Sequence, residues 1–269
     1  MMQDTILLRI FCFHIMIRPR IIPVLLLKGQ GLVKTRKFKN ERYLGDPINA
    51  VKIFNDLKAD ELIFLDILAS IEKRTISLDF VKHVGEEADM PFSVGGGITS
   101  IEQIRKIINA GAEKVVLNTA AYLNHDLIRE ASVYFGRSTI TVCIDIKRNL
   151  FKKPQIYLFS KRKIGRLSPM EYAKLVEKKG AGEVIVQSVD NDGAMKGYDL
   201  ELLKDISQNL RIPVVSLGGA GNIEDFEMAI NHAYCSAVAA GSMFVYHGRR
   251  QGILVNYITR KQKRNIYYE

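Results

Sequence analysis

From residue 20 onward, short apolar runs alternate with longer stretches in which apolar residues recur every three to four positions. The runs at residues 20–27, 61–66, 91–94, 114–118, 138–145, 183–188, 213–217 and 237–240 are rich in Val, Ile and Leu nearly throughout. Such runs predict parallel strands buried on both faces, because polar alternation disappears when neither face meets water. Residues 48–57, 101–110, 168–179, 200–208 and 223–231 carry the spacing of amphipathic helices. Strands and helices alternating in this number predict an α/β fold, a (β/α)8 barrel.

The pattern also repeats at half the chain length. Glu61-Leu62-Ile63-Phe64 recurs as Glu183-Val184-Ile185-Val186, Val94-Gly95-Gly96-Gly97 as Leu217-Gly218-Gly219-Ala220, and residues 114–120 as 236–242, at offsets of 122, 123 and 122 residues. The first and fifth strands align too, residues 23–28 with 142–147, at an offset of 119. Two half-barrels of four βα units are the simplest account, giving a TIM barrel. A doubly wound open sheet does not explain a half-chain repeat. Within the aligned strands one position differs in kind: Leu26 stands where the second copy has Asp145.

In such barrels function gathers at the C-terminal ends of the strands. Gly96 and Gly97 close one strand and precede a helix, and Gly218 and Gly219 repeat them. Glycine lets backbone N–H groups approach an anion closely. Each pair is followed by a further candidate, Asn118 with Thr119 and then Gly241 with Ser242. A lone glycine pair is more often a tight turn; two at matching repeat positions predict two phosphate sites, and a substrate with a phosphate at each end. Asp145 ends its strand as a candidate general acid or base, or as half of a surface ion pair with Lys147. Arg20, Glu61, Lys114 and Glu183 each open a strand. They form either a closed ring at the N-terminal mouth or four separate surface pairs, which contribute little. Asp190-Asn191-Asp192-Gly193 reads as a turn; its carboxylates suit a metal, but no glutamate follows at calcium-loop spacing.

Composition narrows the classes. At 269 residues, 47% apolar and 25% charged, the chain fits one large soluble domain. The net charge of +10 suits an anionic small substrate. Part of it is the basic C-terminal end (Arg249, Arg250, Arg260, Lys261, Lys263, Arg264), read as a solvated tail; no aromatic-basic motif points to nucleic acid. Cys12, Cys143 and Cys235, odd in number and dispersed, suggest a reduced, cytoplasmic compartment. The five histidines are scattered, so neither a zinc site nor another cofactor is expected. The apolar stretch at residues 6–17 is too short to span a bilayer and lacks a small-residue cleavage site. Residues 1–17 are therefore expected to be a flexible extension, and 18–269 a single barrel domain.

Several stretches together are specific. Phe64-Leu65-Asp66-Ile67, Ala69-Ser70-Ile71-Glu72-Lys73-Arg74, Pro91-Phe92-Ser93-Val94-Gly95-Gly96-Gly97-Ile98, Ile144-Asp145-Ile146-Lys147-Arg148, Gly197-Tyr198-Asp199 and Gly218-Gly219-Ala220-Gly221 resemble the HisF family, cyclase subunits of imidazole glycerol phosphate synthase, from Arg20 to about Tyr246. The resemblance implies a barrel that works in a heterodimer with a HisH-like glutaminase docked at its N-terminal face. Ammonia would cross the barrel and attack a bis-phosphorylated aminoimidazole ribonucleotide, in a carbon–nitrogen lyase reaction giving imidazole glycerol phosphate and an aminoimidazole carboxamide ribotide. It assigns Asp145 as one of two catalytic aspartates. Gly97, Asn118 and Thr119 match one phosphate site, and Asp192, Gly193, Gly219 and Gly241 parts of the other. Arg20, Glu61, Lys114 and Glu183 match the ammonia gate, and Lys34 the lysine of the first loop. The chain departs from the family at Leu26, where the other aspartate belongs, and at Leu217 and Ala194, where hydroxyl residues are usual. A divergent HisF-like branch associated with acetamidino sugars of surface polysaccharides is the nearest likeness. Two other readings stay open: a true cyclase in which Asp66 or Asp190 replaces the lost acid, and a non-catalytic activator of a glutaminase.

Overall fold

The computed structural model describes residues 18–248 and 250–267. The extension expected over residues 1–17 lies outside the described residues. The strands of the main sheet are β1 Arg20–Lys28, β2 Gly31–Arg36, β3 Lys39–Gly45, β4 Leu62–Asp66, β5 Phe92–Gly95, β6 Lys114–Leu117, β7 Ile140–Arg148, β8 Pro154–Leu158, β9 Lys163–Ile164, β10 Glu183–Ser188, β11 Val214–Leu217 and β12 Ala237–Ala240. Parallel pairing runs from β1 through β4, β5, β6, β7, β10, β11 and β12 and returns to β1. The eight-stranded barrel is thus closed, with helices α1 Pro47–Asp56, α2 Leu78–Glu87, α3 Ile101–Asn109, α4 Thr119–Leu123, α5 Asp126–Phe135, α6 Pro169–Lys179, α7 Leu200–Asn209 and α8 Ile223–Glu227 between its strands.

The near-continuous apolar runs follow from two cores. Side chains of one parity fill the barrel: Ile22, Val24, Ile63, Val116, Cys143, Ile185, Val215 and Leu217, with Ala237 and Ala239 on β12. Those of the other parity, such as Ile21, Leu25, Phe64, Val94 and Val184, pack under the helices. The helices start where polar caps stop the chain from extending. Ser100 and Gln103 form a reciprocal capping box on α3, as do Ser168 and Glu171 on α6, whose first residue is Pro169.

Three features depart from the sequence reading. Two antiparallel hairpin extensions, β2–β3 growing from β1 and β8–β9 growing from β7, follow the first strand of each half-barrel. β3 and β9 are largely exposed, and β2 and β8 are short with few apolar residues, so no apolar run marked the hairpins. The helix expected at 223–231 is α8 followed by a π-helical turn, Met228–His232. The basic C-terminal end is not simply a solvated tail. Lys263 on a C-terminal helix, Arg260–Tyr267, is buried, donates to Asp60 at 2.7 Å and stands over the Tyr257 ring. Asp60 also accepts from the backbone N–H of Ile21, so this helix straps the N-terminal end of the barrel.

Candidate functional site

At the N-terminal mouth, four charges close into a ring. Arg20 donates to both Glu61 and Glu183, and Lys114 lies 3.1 Å from Glu61 and 3.5 Å from Glu183. Both carboxylates are buried, and Ser93 Oγ donates to Glu61 at 2.9 Å. Burial disfavours the charge on Arg20, but Glu183 and Glu61 outweigh it and hold its pKa above the ordinary value. The arrangement is one network, not four separate surface pairs. It arises because positions 20, 114 and 183 begin strands and 61 immediately precedes β4, all on the inward parity.

At the opposite end, a cavity of about 460 Å³ opens between the strand ends. Leu26, Leu65, Val116 and Cys143 form its floor; Gly96, Gly97, Asn118, Thr119 and Asp145 lie on its wall. Sequence reasoning missed Ser70, Lys73, Ser160 and Lys161, which line it from the loops. Gly97 has φ +65°, and a Cβ there would lie 1.7 Å from the Arg74 carbonyl oxygen, so only glycine lets these two loops touch. Lys73 and Lys161 are exposed at the rim.

Asp145 is buried and makes no ion pair with Lys147, whose ammonium sits over the Tyr157 ring instead. Cys143 donates to Asp145 Oδ1 and to Gln187 Oε1, each at 3.6 Å. Burial pushes the Asp145 carboxyl up to about 7; the Asn118 amide and the Cys143 thiol pull against this, and Asp192 adds to it. Burial, and then the charge of Asp145, raise the Cys143 thiol well above its ordinary range, so it stays a protonated donor. A carboxyl that titrates near neutrality can both take and give a proton at working pH.

The candidate substitute acids are committed elsewhere. Asp66 accepts from the N–H groups of Leu68 and Ala69 and from Arg74 at 2.5 Å. Asp190 accepts from the N–H of Arg148 at 2.7 Å. The first strands of the two half-barrels differ at three successive inward positions. β7 presents Thr141, Cys143 and Asp145, whereas β1 presents Ile22, Val24 and Leu26. Thr141 Oγ1 is buried without a hydrogen-bond partner.

Asp192, Gly193, Gly218, Gly219 and Gly241 come together too, but around a separate void of only about 10 Å³ that Lys34 also lines. Lys34 is buried, with Nζ 3.0 Å from Asp192 Oδ1 and 2.9 Å from the Thr35 carbonyl. Asp192 also accepts from Thr35 Oγ1 and from the Phe38 N–H, and its carbonyl from the Lys37 N–H. These bonds hold the tip of the β2–β3 hairpin, where Lys37 and Phe38 both have φ above +50°. That turn costs roughly 1–2 kcal/mol per non-glycine residue, and the anchoring by Asp192 offsets it. Phe38 meets Phe159 from the other hairpin edge-on, ring centres 5.4 Å apart, so both extensions close over the main cavity. Among the described residues no helix is long and apolar enough to cross a membrane.

Comparison with known proteins places this geometry. The family model described as histidine biosynthesis protein matches residues 20–250. A Thermococcus onnurineus protein named imidazole glycerol phosphate synthase subunit HisF is 43% identical over 246 residues, spanning 91% of this chain and 97% of that one. A Pseudomonas aeruginosa protein, provisionally named as subunit hisF2 of that synthase, is 42% identical over 242 residues, spanning 90% and 96%. A Leptospira interrogans protein, provisionally named as subunit HisF, is 41% identical over 254 residues, spanning 94% and 100%. The barrel described above and these full-length matches carry one conclusion: the chain belongs to the histidine biosynthesis protein family, in its HisF line.

Proposed function

We propose that this chain is the barrel subunit of a glutamine amidotransferase complex, supplied with ammonia by a HisH-like glutaminase at its N-terminal face, and that it serves amidation of a surface-polysaccharide sugar instead of histidine synthesis. The observation that carries this reading is an intact charged ring at one end of the barrel and, at the other, Asp145 as the one cavity-lining carboxyl among the described residues without an ion pair. Arg20, Glu61, Lys114 and Glu183 have the charge and position of a gate. A ring of two buried acids and two bases is formally neutral and holds its own charges, so uncharged ammonia passes it at less cost than ammonium. Beyond it the interior is apolar except along β7 and its neighbour β10, where Thr141, Cys143 and Gln187 lead toward Asp145.

Ring closure on a bis-phosphorylated precursor needs both an acid and a base. With Leu26 opposite, Asp145 works alone, and loss of one member of such a pair typically lowers rate about 10²–10⁴-fold. The ammonia-handling half of the machine is kept while the cyclisation half is reduced. The buried, unpaired thiols of Cys143 and Cys235 fit a cytoplasmic setting.

A second reading has one observation in its favour. Asp145 titrates near 7, and a single carboxyl of that kind can shuttle protons in a true imidazole glycerol phosphate cyclase. Gene disruption in the source organism separates the two. The proposal expects growth without added histidine and loss of amidino groups from the surface polysaccharide. Histidine auxotrophy with unchanged polysaccharide would overturn it.

A further inference from the structure

The hairpin that grows from β7 turns at residues 149–153, at the C-terminal end of the barrel. Leu150 there is 99% exposed and Phe151 83%. Two large apolar side chains held together in water mark a contact surface. A loose turn would fold them back onto the barrel, but this one is braced. Asn149 Oδ1 accepts from the N–H groups of Phe151 and Lys153, at 2.9 and 3.0 Å, and the Asn149 N–H donates to the Lys153 carbonyl. Arg148, itself bonded to Asp199, donates to the Lys152 carbonyl at 2.6 Å, and Lys152 sits at φ +59°.

The chain around this tip is basic. Between Ile146 and Met170 it carries eight lysines and arginines and no acid. All of them but Arg148 are exposed, and among the described residues only Arg148 is in an ion pair. The facing hairpin adds exposed Arg36, Lys37 and Lys39 at the same end of the barrel, where Phe38 meets Phe159. An anionic substrate accounts for Lys161, which lines the cavity. It does not account for Leu150, Phe151, Lys152 or Lys153, which lie outside it.

Shape and charge decide what such a tip fits. A protein interface of ordinary size buries about 800 Å² on each partner, more than one turn offers. A bilayer needs only a convex apolar tip that enters the headgroup boundary, with cations close to an anionic leaflet. We propose that this turn seats the barrel on an anionic lipid bilayer. Leu150 and Phe151 enter the headgroup boundary, Lys152, Lys153 and the basic run behind them are drawn to the surface, and no described segment crosses it. The cavity then faces the membrane, and the ring of Arg20, Glu61, Lys114 and Glu183 faces away, so the N-terminal face stays free for a partner. Seating on lipid needs neither the ammonia supply nor the loss of cyclisation, so it stands or falls apart from them.

The chain has no tryptophan, so Phe151→Trp places a single fluorescent reporter at the tip. The probes are sucrose-loaded vesicles of phosphatidylcholine alone, and of equal parts phosphatidylcholine and phosphatidylglycerol. The full chain should sediment with the anionic vesicles only and be released by high salt. Those vesicles should shift the reporter's emission to the blue. Leu150→Ser with Phe151→Ser should weaken vesicle binding at least about tenfold, the change from losing about 1.4 kcal/mol. Lys152→Glu with Lys153→Glu should weaken it at least about 25-fold, about fivefold for each cation lost. Both pairs lie on an exposed turn, so thermal melts should match wild type. Failure of the full chain to sediment would overturn the proposal and leave the tip to a protein partner. Binding that both pairs of substitutions leave unchanged would overturn it too, by placing the contact elsewhere on a basic chain, as would binding without a shift in the reporter's emission.

Discussion

Leu26 and Asp145 occupy equivalent inward positions on the two strands that open the half-barrels, and both line the same cavity. One is an apolar floor residue continuous with the barrel interior, and the other a buried carboxyl. The asymmetry runs down both strands, with Thr141 and Cys143 answered by Ile22 and Val24. A polar path therefore climbs one side of the barrel only.

Burial of Asp145 sets a pH dependence of stability. Its folded pKa of about 7 lies above the ordinary carboxyl value. The folded state thus binds its proton more tightly than the unfolded chain. Stability from this group falls as pH rises between the unfolded value, about 4, and 7. Asp145→Asn removes the buried charge, so the variant should exceed wild type by about 4 kcal/mol at pH 8, the gain vanishing toward pH 4. Urea melts across that range measure it; a constant difference would contradict it.

The ring makes a stability prediction of the opposite kind. Arg20→Ala leaves two buried carboxylates sharing only Lys114. The expected loss is about 3 kcal/mol. A loss below about 1 kcal/mol in chemical denaturation, the size of an exposed pair, would show that the network contributes no more than its separate parts.

Thr141 presents a hydroxyl with no partner in an apolar interior. Thr141→Val keeps the shape and removes the unsatisfied group, so it should stabilise the barrel by about 1 kcal/mol. A clear destabilisation in the same melts would mean that the hydroxyl is satisfied in solution.

Asp192 holds the strained hairpin tip through Lys34, Thr35, Lys37 and Phe38. Asp192→Ala removes the carboxylate bonds while the barrel core stays packed. Trypsin should then cut at Lys34, Arg36, Lys37 or Lys39 at least about tenfold faster, the effect of lowering a local opening energy by about 1.4 kcal/mol. Mass spectrometry of the fragments locates the cuts, and unchanged resistance would show that the hairpin is held by other contacts.

The barrel was legible because its strands are buried on both faces and because the chain repeats itself. Those signals placed all eight barrel strands, and the repeat exposed Leu26. The hairpins were not legible, since β3 is almost entirely exposed and carries no apolar pattern. Asp145, Gly97, Asn118 and Thr119 could be gathered from strand-end positions alone. Lys73 and Lys161 sit on loops, where spacing says nothing about which residues converge. The ring was visible only as four strand-initial charges, and whether they met depended on inward parity and barrel closure. The fate of the second glycine set was hidden for another reason: Lys34 is more than 150 residues distant in sequence from the Asp192 it pairs with.

The most direct measurement is turnover of the bis-phosphorylated aminoimidazole ribonucleotide by the purified chain in saturating ammonium salt, beside HisF of Thermococcus onnurineus under matched conditions. Ammonium bypasses any glutaminase, so the assay reads the cyclisation site alone. With Asp145 lacking its partner, the rate should be at least about 100-fold below that of the comparison protein. A rate within a few-fold of it would contradict the account.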